Sequence, residues 1–450
     1  MTSYFPRLID KSLLEWKNEE RHKPLLLRGA RQVGKSSAVR NLGATFKYFI
    51  EVNFERDKEV KSLFLGNLKP KDIASRISAF YGIPIVPGET LLFFDEIQAC
   101  SEAIHSLWFF YEDYPELHVV AAGSLLEFAL KKMTSFGVGR VRSLFMYPMS
   151  FDEFLMALGN ESWLNVIHDS SPDNPVFEAL HGKLVETFRT FLMVGGMPEA
   201  VSNWVETGDY MKCQRVQDDI MLAYEDDFSK YDTKVDSILL KQTLRSIALQ
   251  IGNKFVFSDV QGGYRVEKVK TALELLKDAG LIKQVVHTVA NGVPLGAEIN
   301  NKFVKYIFLD SGLLLRLLGL EDVNGQSEIT KMILIGTAND LVNKGHITEM
   351  VAGLELLKYN TPSQRHDLYY WQNISRGTQA EIDYVVVKNM KVVPLEIKAG
   401  TKGSMKSLHQ FMTDKNLDYG IRSSLENFGK IDKVDIIPLY ALSNLSHRSL

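Results

Sequence analysis

The sequence predicts an α/β protein whose first third is a parallel sheet with helices on both faces, and three observations predict it. Across residues 1–155, short apolar runs alternate with helical periodicity, the pattern of parallel strands joined by crossover helices. Residues 29–36 read Gly-Ala-Arg-Gln-Val-Gly-Lys-Ser, a complete G-x-x-x-x-G-K-[ST] phosphate loop. It stands between the apolar run Leu25-Leu26-Leu27 and a helical segment, Ser36 to Leu42, the order such a loop requires. Four apolar residues, Leu91 to Phe94, then lead into the carboxylates Asp95 and Glu96. Open α/β sheets place their ligands at such strand ends.

The loop dictates a ligand. Gly29 and Gly34 let the backbone curl so that its N–H groups face phosphate oxygens. The helix that follows adds a partial positive charge. Gly29, Ala30, Arg31, Gln32, Val33, Gly34, Lys35, Ser36 and Ser37 are the expected nucleotide-binding residues. Lys35 suits the β- and γ-phosphates, and the Ser36 hydroxyl suits Mg²⁺. Asp95 would hold the same ion through water, and Glu96 would orient and deprotonate an attacking water. ATP and Mg²⁺ are therefore the expected cofactors.

The remaining strands of this sheet are expected at Tyr48–Phe54, His118–Ala122 and Ser143–Tyr147. Gly123-Ser124 ends the fourth strand, which makes Ser124 a candidate sensor of the γ-phosphate. Residues 137–142, Gly-Val-Gly-Arg-Val-Arg, form a basic loop before the last strand. Arg140 is a candidate to lie against the γ-phosphate of its own or a neighbouring subunit, where it would stabilise transition-state charge. Arg142 is the weaker candidate. The neighbouring-subunit alternative makes a homo-oligomer an expectation.

Beyond the sheet the chain turns helical to about residue 235. Ser150 with Glu153 three residues on is a capping box. Asp169–Pro175 is a polar loop, and Gly195-Gly196 forces a tight turn between two helical patterns, a candidate hinge between the nucleotide-binding core and the rest. Residues 236–310 read helix (Ile238–Ile251), short strand (Phe255–Phe257), helix (Val266–Ala279), then a hairpin of Leu281–Val289 with Val304–Leu309. That is the order of a winged helix. Arg265, Lys268 and Lys270 stand at the start of its second helix, where they would meet phosphates.

A third chemical signal lies near the end. Glu381–Val387 and Lys391–Lys398 read as strands, and Glu396 and Lys398, two apart, share a face. If the strands pair, Asp383, Glu396 and Lys398 converge. Asp383 and Glu396 would hold a divalent ion, and Lys398 would orient or deprotonate water, the chemistry of phosphodiester cleavage. Glu349, on a helix, is a further candidate ligand, and Gln410 a candidate for positioning substrate.

Composition narrows the class. Of 450 residues, 45% are hydrophobic and 24% charged, globular values, and the length calls for two to four domains. No apolar run reaches a membrane span, and no secretory signal core opens the chain. Cys100 and Cys213 are the only cysteines. A cytoplasmic protein is expected. The net charge of −3 is uneven: residues 1–237 carry 26 basic against 34 acidic residues, 238–310 carry 10 against 6, and 331–450 carry 15 against 12. The two basic segments permit contact with DNA or RNA.

The chain resembles the AAA-type P-loop ATPases of bacteria and archaea that carry a C-terminal domain of unknown function with a PD-(D/E)XK restriction-nuclease-like core. The marks are residues 29–36, Phe-Phe-Asp-Glu-Ile-Gln (93–98), Ala-Gly-Ser-Leu-Leu-Glu (122–127), Gly-Arg (139–140), Tyr-Pro-Met-Ser-Phe-Asp-Glu-Phe (147–154), Gly-Gly-Met-Pro-Glu-Ala (195–200), Glu-Ile-Asp-Tyr-Val-Val (381–386) and Leu-Glu-Ile-Lys-Ala-Gly (395–400). The resemblance implies ATP binding, a winged helix and a nuclease-type fold, with Ile382-Asp383 replacing the Pro-Asp of the pattern. The expected organisation is an ATPase core over 1–157, a helical lid or linker over 158–235, a winged-helix-like domain over 236–330 and a nuclease-like domain over 331–450. Two functions fit: an ATPase coupled to a nucleic-acid-binding or processing half, and an ATP-dependent switch whose nuclease-like domain binds without cleaving.

Overall fold

The computed structural model describes residues 4–66, 68–132, 139–231, 235–318, 344–373, 380–401 and 403–447. Gly137 and Val138 of the basic loop, and the expected boundary at 330, lie outside the described residues. The chain divides into two compact units: Met1–Pro148 with Asp278–Gly280 and Thr361–Arg365, and Met149–Lys277 with Leu281–Asn360 and His366–Leu450.

The first unit is built on five parallel strands, β1 (Leu25–Arg28), β2 (Tyr48–Asn53), β3 (Thr90–Asp95), β4 (His118–Ala122) and β5 (Arg142–Phe145). Their order is β2-β3-β4-β1-β5. Every residue of β3 and β4 is buried, which is why both read as unbroken apolar runs rather than alternating ones. The helices Lys35–Gly43, Pro70–Tyr81 and Ser101–Asp113 connect successive strands. Leu92, Phe94, Phe54, Phe64 and Phe110 meet in the core. At the β5 edge the Phe145 N–H donates to the Pro362 carbonyl at 2.8 Å, so a segment from far along the chain completes this unit.

The second unit combines helices with an eight-stranded mixed sheet. Its strands are β6 (Ile282–Thr288), β7 (Ile299–Phe308), β8 (Leu368–Gln372), β9 (Glu381–Lys388), β10 (Lys391–Ile397), β11 (Gly420–Ser424), β12 (Gly429–Ile431) and β13 (Val434–Pro438). The order is β12-β13-β11-β10-β9-β8-β6-β7. Ser150 caps the helix Phe151–Ala157 in a complete capping box with Glu153. Gly195, at φ +72°, ends the helix Glu178–Val194, and the Gly196 N–H donates to Asp310 Oδ2 at 2.6 Å. The Asp310 carboxylate stands where any larger residue 195 would place its Cβ, 2.2 Å away.

Two features differ from expectation. Phe255–Phe257 is not a strand: Phe255 N donates once to Val304 O, at 2.9 Å, and the chain then turns through Phe257–Asp259. One ladder bond does not sustain a strand. The hairpin of β6 and β7 is present, but β6 also pairs in parallel with β8. The hairpin and the strands bearing Asp383 and Glu396 thus belong to one sheet.

Candidate nucleotide site and carboxylate cluster

The phosphate loop leaves the C-terminal end of β1, near the middle of its sheet. Gly29 adopts φ +150°, and a Cβ there would meet the Met146 carbonyl oxygen at 2.2 Å, so only glycine passes. Gly34, left-handed at φ +99°, starts the helix Lys35–Gly43, which has no side-chain cap. Its first N–H groups are therefore offered to a ligand rather than to a cap. The Lys35 ammonium is buried and donates to the Gly29 and Ala30 carbonyls at 2.9 and 2.6 Å. Burial pulls its pKa down to about 8, against the opposing pull of Glu96 and Asp95. A polyphosphate suits this donor set.

The carboxylates approach from β3. Ser36 Oγ donates to Asp95 Oδ1 at 3.0 Å, and Asn53 Nδ2 donates to Asp95 Oδ2 at 3.1 Å. Burial, then the charge of Glu96, raises the Asp95 pKa. Glu96 has φ +50°, a left-handed conformation uncommon for a residue other than glycine. Its Oε2 accepts from Gln98 Nε2 at 2.6 Å, and from the Ser124 amide and hydroxyl, both at 3.1 Å. Gly123 makes room for Gln98, whose Oε1 lies 1.9 Å from where a Cβ would stand. Asn53 and Gln98 are partners the sequence reading missed. Gln98 falls inside the Phe-Phe-Asp-Glu-Ile-Gln motif of residues 93–98, but its role depends on the turn after β3.

In the second unit, carboxylates gather on β9 and its surroundings. Tyr369 pairs with Val385 and Trp371 with Ile382, so Asp383 and Tyr384 together face the single residue Tyr370. That is a β-bulge, which re-aims side chains. Asp383 Oδ2 accepts the Ile397 N–H at 2.6 Å, taking a bond the ladder would otherwise use. Ligand oxygens of Glu349, Glu381 and Asp383 lie within 4.8 Å of one another. Lys305 Nζ, from β7, donates to Glu349 Oε1 at 2.9 Å and Glu381 Oε1 at 2.5 Å. Lys398 is ion-paired with Glu396 Oε1, while the buried Glu396 Oε2 has no partner. Burial raises the pKa of Asp383 strongly, with the charges of Glu349 and Glu396 adding to it, and burial likewise raises Glu349 and Glu396. Burial pulls Lys305 down, but Glu349 and Glu381 outweigh it and hold the ammonium above the ordinary lysine range.

Glu381 escaped the sequence reading although it stands two residues before Asp383. Lys305 carried no signal at all, because only the pairing of β7 brings it here. Gln410 sits half-buried on the helix Lys406–Asp414.

Residues 21–155 match a family described as an AAA domain. Residues 185–324 and 344–442 match two families described as domains of unknown function, DUF8612 and DUF4143. The first unit carries an AAA-type P-loop domain, that of an ATP-binding ATPase. Among solved structures the chain is similar to a Walker-type ATPase of Pyrococcus abyssi, at 17% identity and TM-score 0.44, over 70% of this chain and 96% of that one. It is also similar to the Aeropyrum pernix Orc1 protein in complex with DNA, at 11% identity and TM-score 0.30, over 71% and 94%. No curated protein matches.

The ATPase domain does not bring Arg140 to its own phosphate loop. Leu25 pairs with Arg142 and Arg28 with Phe145, so the loop leaves one end of β1 while Arg140 precedes the opposite end of β5. Strand polarity thus separates them by about 10 Å of strand and more. The own-subunit placement is corrected accordingly. The Arg140 guanidinium instead pairs with Glu112 and lies 4.5 Å from the Trp108 ring centroid. Arg142 pairs with Glu19. Among the described residues no helix is long and apolar enough to cross a membrane.

Proposed function

We propose that the ATPase domain hydrolyses ATP with Glu96 as general base, and that its nucleotide state governs a nucleic-acid-binding or processing second half. The observation that carries this reading is the pairing of Ser36 with Asp95 and of Ser124 with Glu96, at the ends of three neighbouring strands. Residues 29–37 bind the phosphates, and Lys35 neutralises the β- and γ-phosphates. Ser36, and Asp95 through water, would hold Mg²⁺, which would supply charge neutralisation to the phosphates. Ser124 senses the γ-phosphate in this reading and, with Gln98, fixes Glu96 Oε2, leaving Oε1 to take the water proton. Arg140 acts on the nucleotide of a neighbouring copy, which calls for a homo-oligomer.

The chain reads as the ATPase core (1–157), a helical lid or linker (158–235), a winged-helix-like segment (236–330) and a nuclease-like segment (331–450). Exposed Arg265, Lys268 and Lys270, at the start of the helix Val266–Asp278, supply phosphate contacts for DNA or RNA. Asp383, Glu396 and Lys398 form the nuclease-like centre with Glu349. A second reading, a switch that binds without cleaving, is favoured by Lys305, whose ammonium already compensates the carboxylates. With that ammonium in place the cluster does not fit a divalent ion.

The test measures ATP turnover and salt-dependent DNA binding, with and without ATP, beside a nuclease assay in Mg²⁺ or Mn²⁺. Turnover that Lys35→Ala abolishes, and DNA affinity that ATP changes, support the reading. Unaltered turnover in Lys35→Ala sinks the site. DNA affinity indifferent to ATP and to Arg265→Ala sinks the coupling.

A further inference from the structure

We propose that Lys305 is a tethered cation that occupies the centre of the carboxylate cluster and competes with divalent metal for it. The inference rests on the reading of Asp383 and its neighbours as a nuclease-like centre, and adds the group that controls access to it. Four carboxylates gather here, from Glu349, Glu381, Asp383 and Glu396. Three of them offer oxygens within 4.8 Å of one another, a spread that carboxylates around one ion can close. Lys305 Nζ bonds two of those three residues directly, at 2.9 and 2.5 Å. It also faces the Tyr370 ring, 4.9 Å from its centroid. The side chain is 2% exposed, far deeper than a lysine that merely decorates a surface.

The ammonium and a divalent ion compete for the same two carboxylates. A divalent ion binds carboxylate oxygens at about 2.0–2.6 Å, inside the ammonium's own hydrogen-bond shell, so either the ion or Nζ takes Glu349 and Glu381. The lysine has the advantage of attachment. Its effective concentration is set by the strand that carries it, whereas an ion from solution must pay for its own capture and dehydration. The cluster nevertheless keeps spare acceptor capacity, since Glu396 Oε2 is buried without a hydrogen-bond partner. Removing Nζ leaves carboxylates buried and uncompensated, a state that a proton or another cation relieves. The ladder is irregular beside Lys305. Val286 pairs with Val304 but His287 with Asn300, so residues 301–303 loop out of the ladder just before it.

The test is Mn²⁺ binding to the full chain, followed by electron paramagnetic resonance and by thermal unfolding with and without the ion. Wild type, Lys305→Met and the double variant Lys305→Met with Asp383→Asn are compared in the absence of nucleotide. Lys305→Met is expected to bind one Mn²⁺ at least tenfold more tightly than wild type and to gain thermal stability from it, and Asp383→Asn is expected to remove both effects. Folded Lys305→Met that binds no Mn²⁺ overturns the proposal together with the metal-centre reading beneath it. Equal affinity in wild type and Lys305→Met, lost with Asp383→Asn, overturns the proposal alone and leaves that reading standing. If Lys305→Met folds only when Mn²⁺ is present, the ion has replaced the ammonium, as proposed. If it folds under neither condition, wild type decides: Mn²⁺ binding tighter than 100 μM that Asp383→Asn removes overturns the lock, and weaker binding supports it.

Discussion

Ser124 and Glu96 are joined twice, the Ser124 amide and hydroxyl each donating to Glu96 Oε2 at 3.1 Å. With Gln98 adding a third donor at 2.6 Å, one carboxylate oxygen is held by groups from the ends of two adjacent strands. The arrangement links the residue proposed to sense phosphate with the residue proposed to activate water.

Glu96→Gln is expected to retain ATP binding and to stop turnover, because an amide cannot accept the water proton. Ser124→Ala is expected to lower kcat by roughly tenfold or more with a smaller change in ATP affinity, since it unfastens the base without touching the phosphate loop. Equilibrium binding and steady-state hydrolysis separate the two. Lost ATP binding in Glu96→Gln would reassign Glu96 to holding metal or structure.

ATP affinity is expected to fall as pH rises through about 8, where burial has placed the Lys35 pKa. The polyphosphate selects the ammonium form. Binding is therefore at full strength below that pH and weakens above it, approaching about tenfold for each further unit. ATP titrations at pH 7 to 9.5 read this directly. A flat profile would mean that Lys35 stays charged throughout and that its burial has no functional consequence.

The first unit is expected to lose stability on mild acidification through His22. Its ring stacks on His118 with centroids 3.8 Å apart and meets Trp16 edge-on at 5.3 Å. Burial, with His118 beside it, pulls the His22 pKa from 6.5 to about 4. The unfolded chain therefore takes up a proton before the folded one does. Stability is undiminished above about 6.5 and declines toward about 4, by about 1.4 kcal/mol for each pH unit in that window. Thermal midpoints of wild type and His22→Phe across pH 4 to 7 test it. An equally steep decline in His22→Phe would assign the effect to other groups.

Arg140→Ala is expected to reduce turnover only in an assembled protein, since strand polarity takes Arg140 away from its own phosphate loop. Mixing Arg140→Ala with Lys35→Ala protein should recover activity if intact sites form between unlike copies. Sedimentation beside ATPase assays of the mixture provides the check. A monomer whose turnover is insensitive to Arg140→Ala removes the arginine from catalysis.

Much of the first unit is a local matter, and the sequence alone determined it. A phosphate loop needs its glycines, lysine and serine within eight consecutive residues, because one turn of backbone makes the cradle. Strands buried on both faces are apolar throughout, so β1, β3 and β4 stand out in the chain. The Asp95-Glu96 pair follows directly from the end of such a run. Asp383, Glu396 and Lys398 were also legible as candidates, since alternation on a strand is a local rule.

What surrounds those residues was decided by tertiary structure. Glu96 meets Ser124 only because β3 and β4 are neighbours, and Arg140 lies away from its own loop only because β5 runs parallel to β1. The bulge that aims Asp383 appears when β9 is laid against β8, two residues against one. Lys305 is the clearest case. Nothing within several residues of it in sequence announces a partner, and its carboxylates come from Glu349 and Glu381, 44 and 76 residues away. Periodicity records which face of an element is buried, but a charge compensated across a sheet has no periodicity to record. Only the strand order brings the ammonium to the carboxylates.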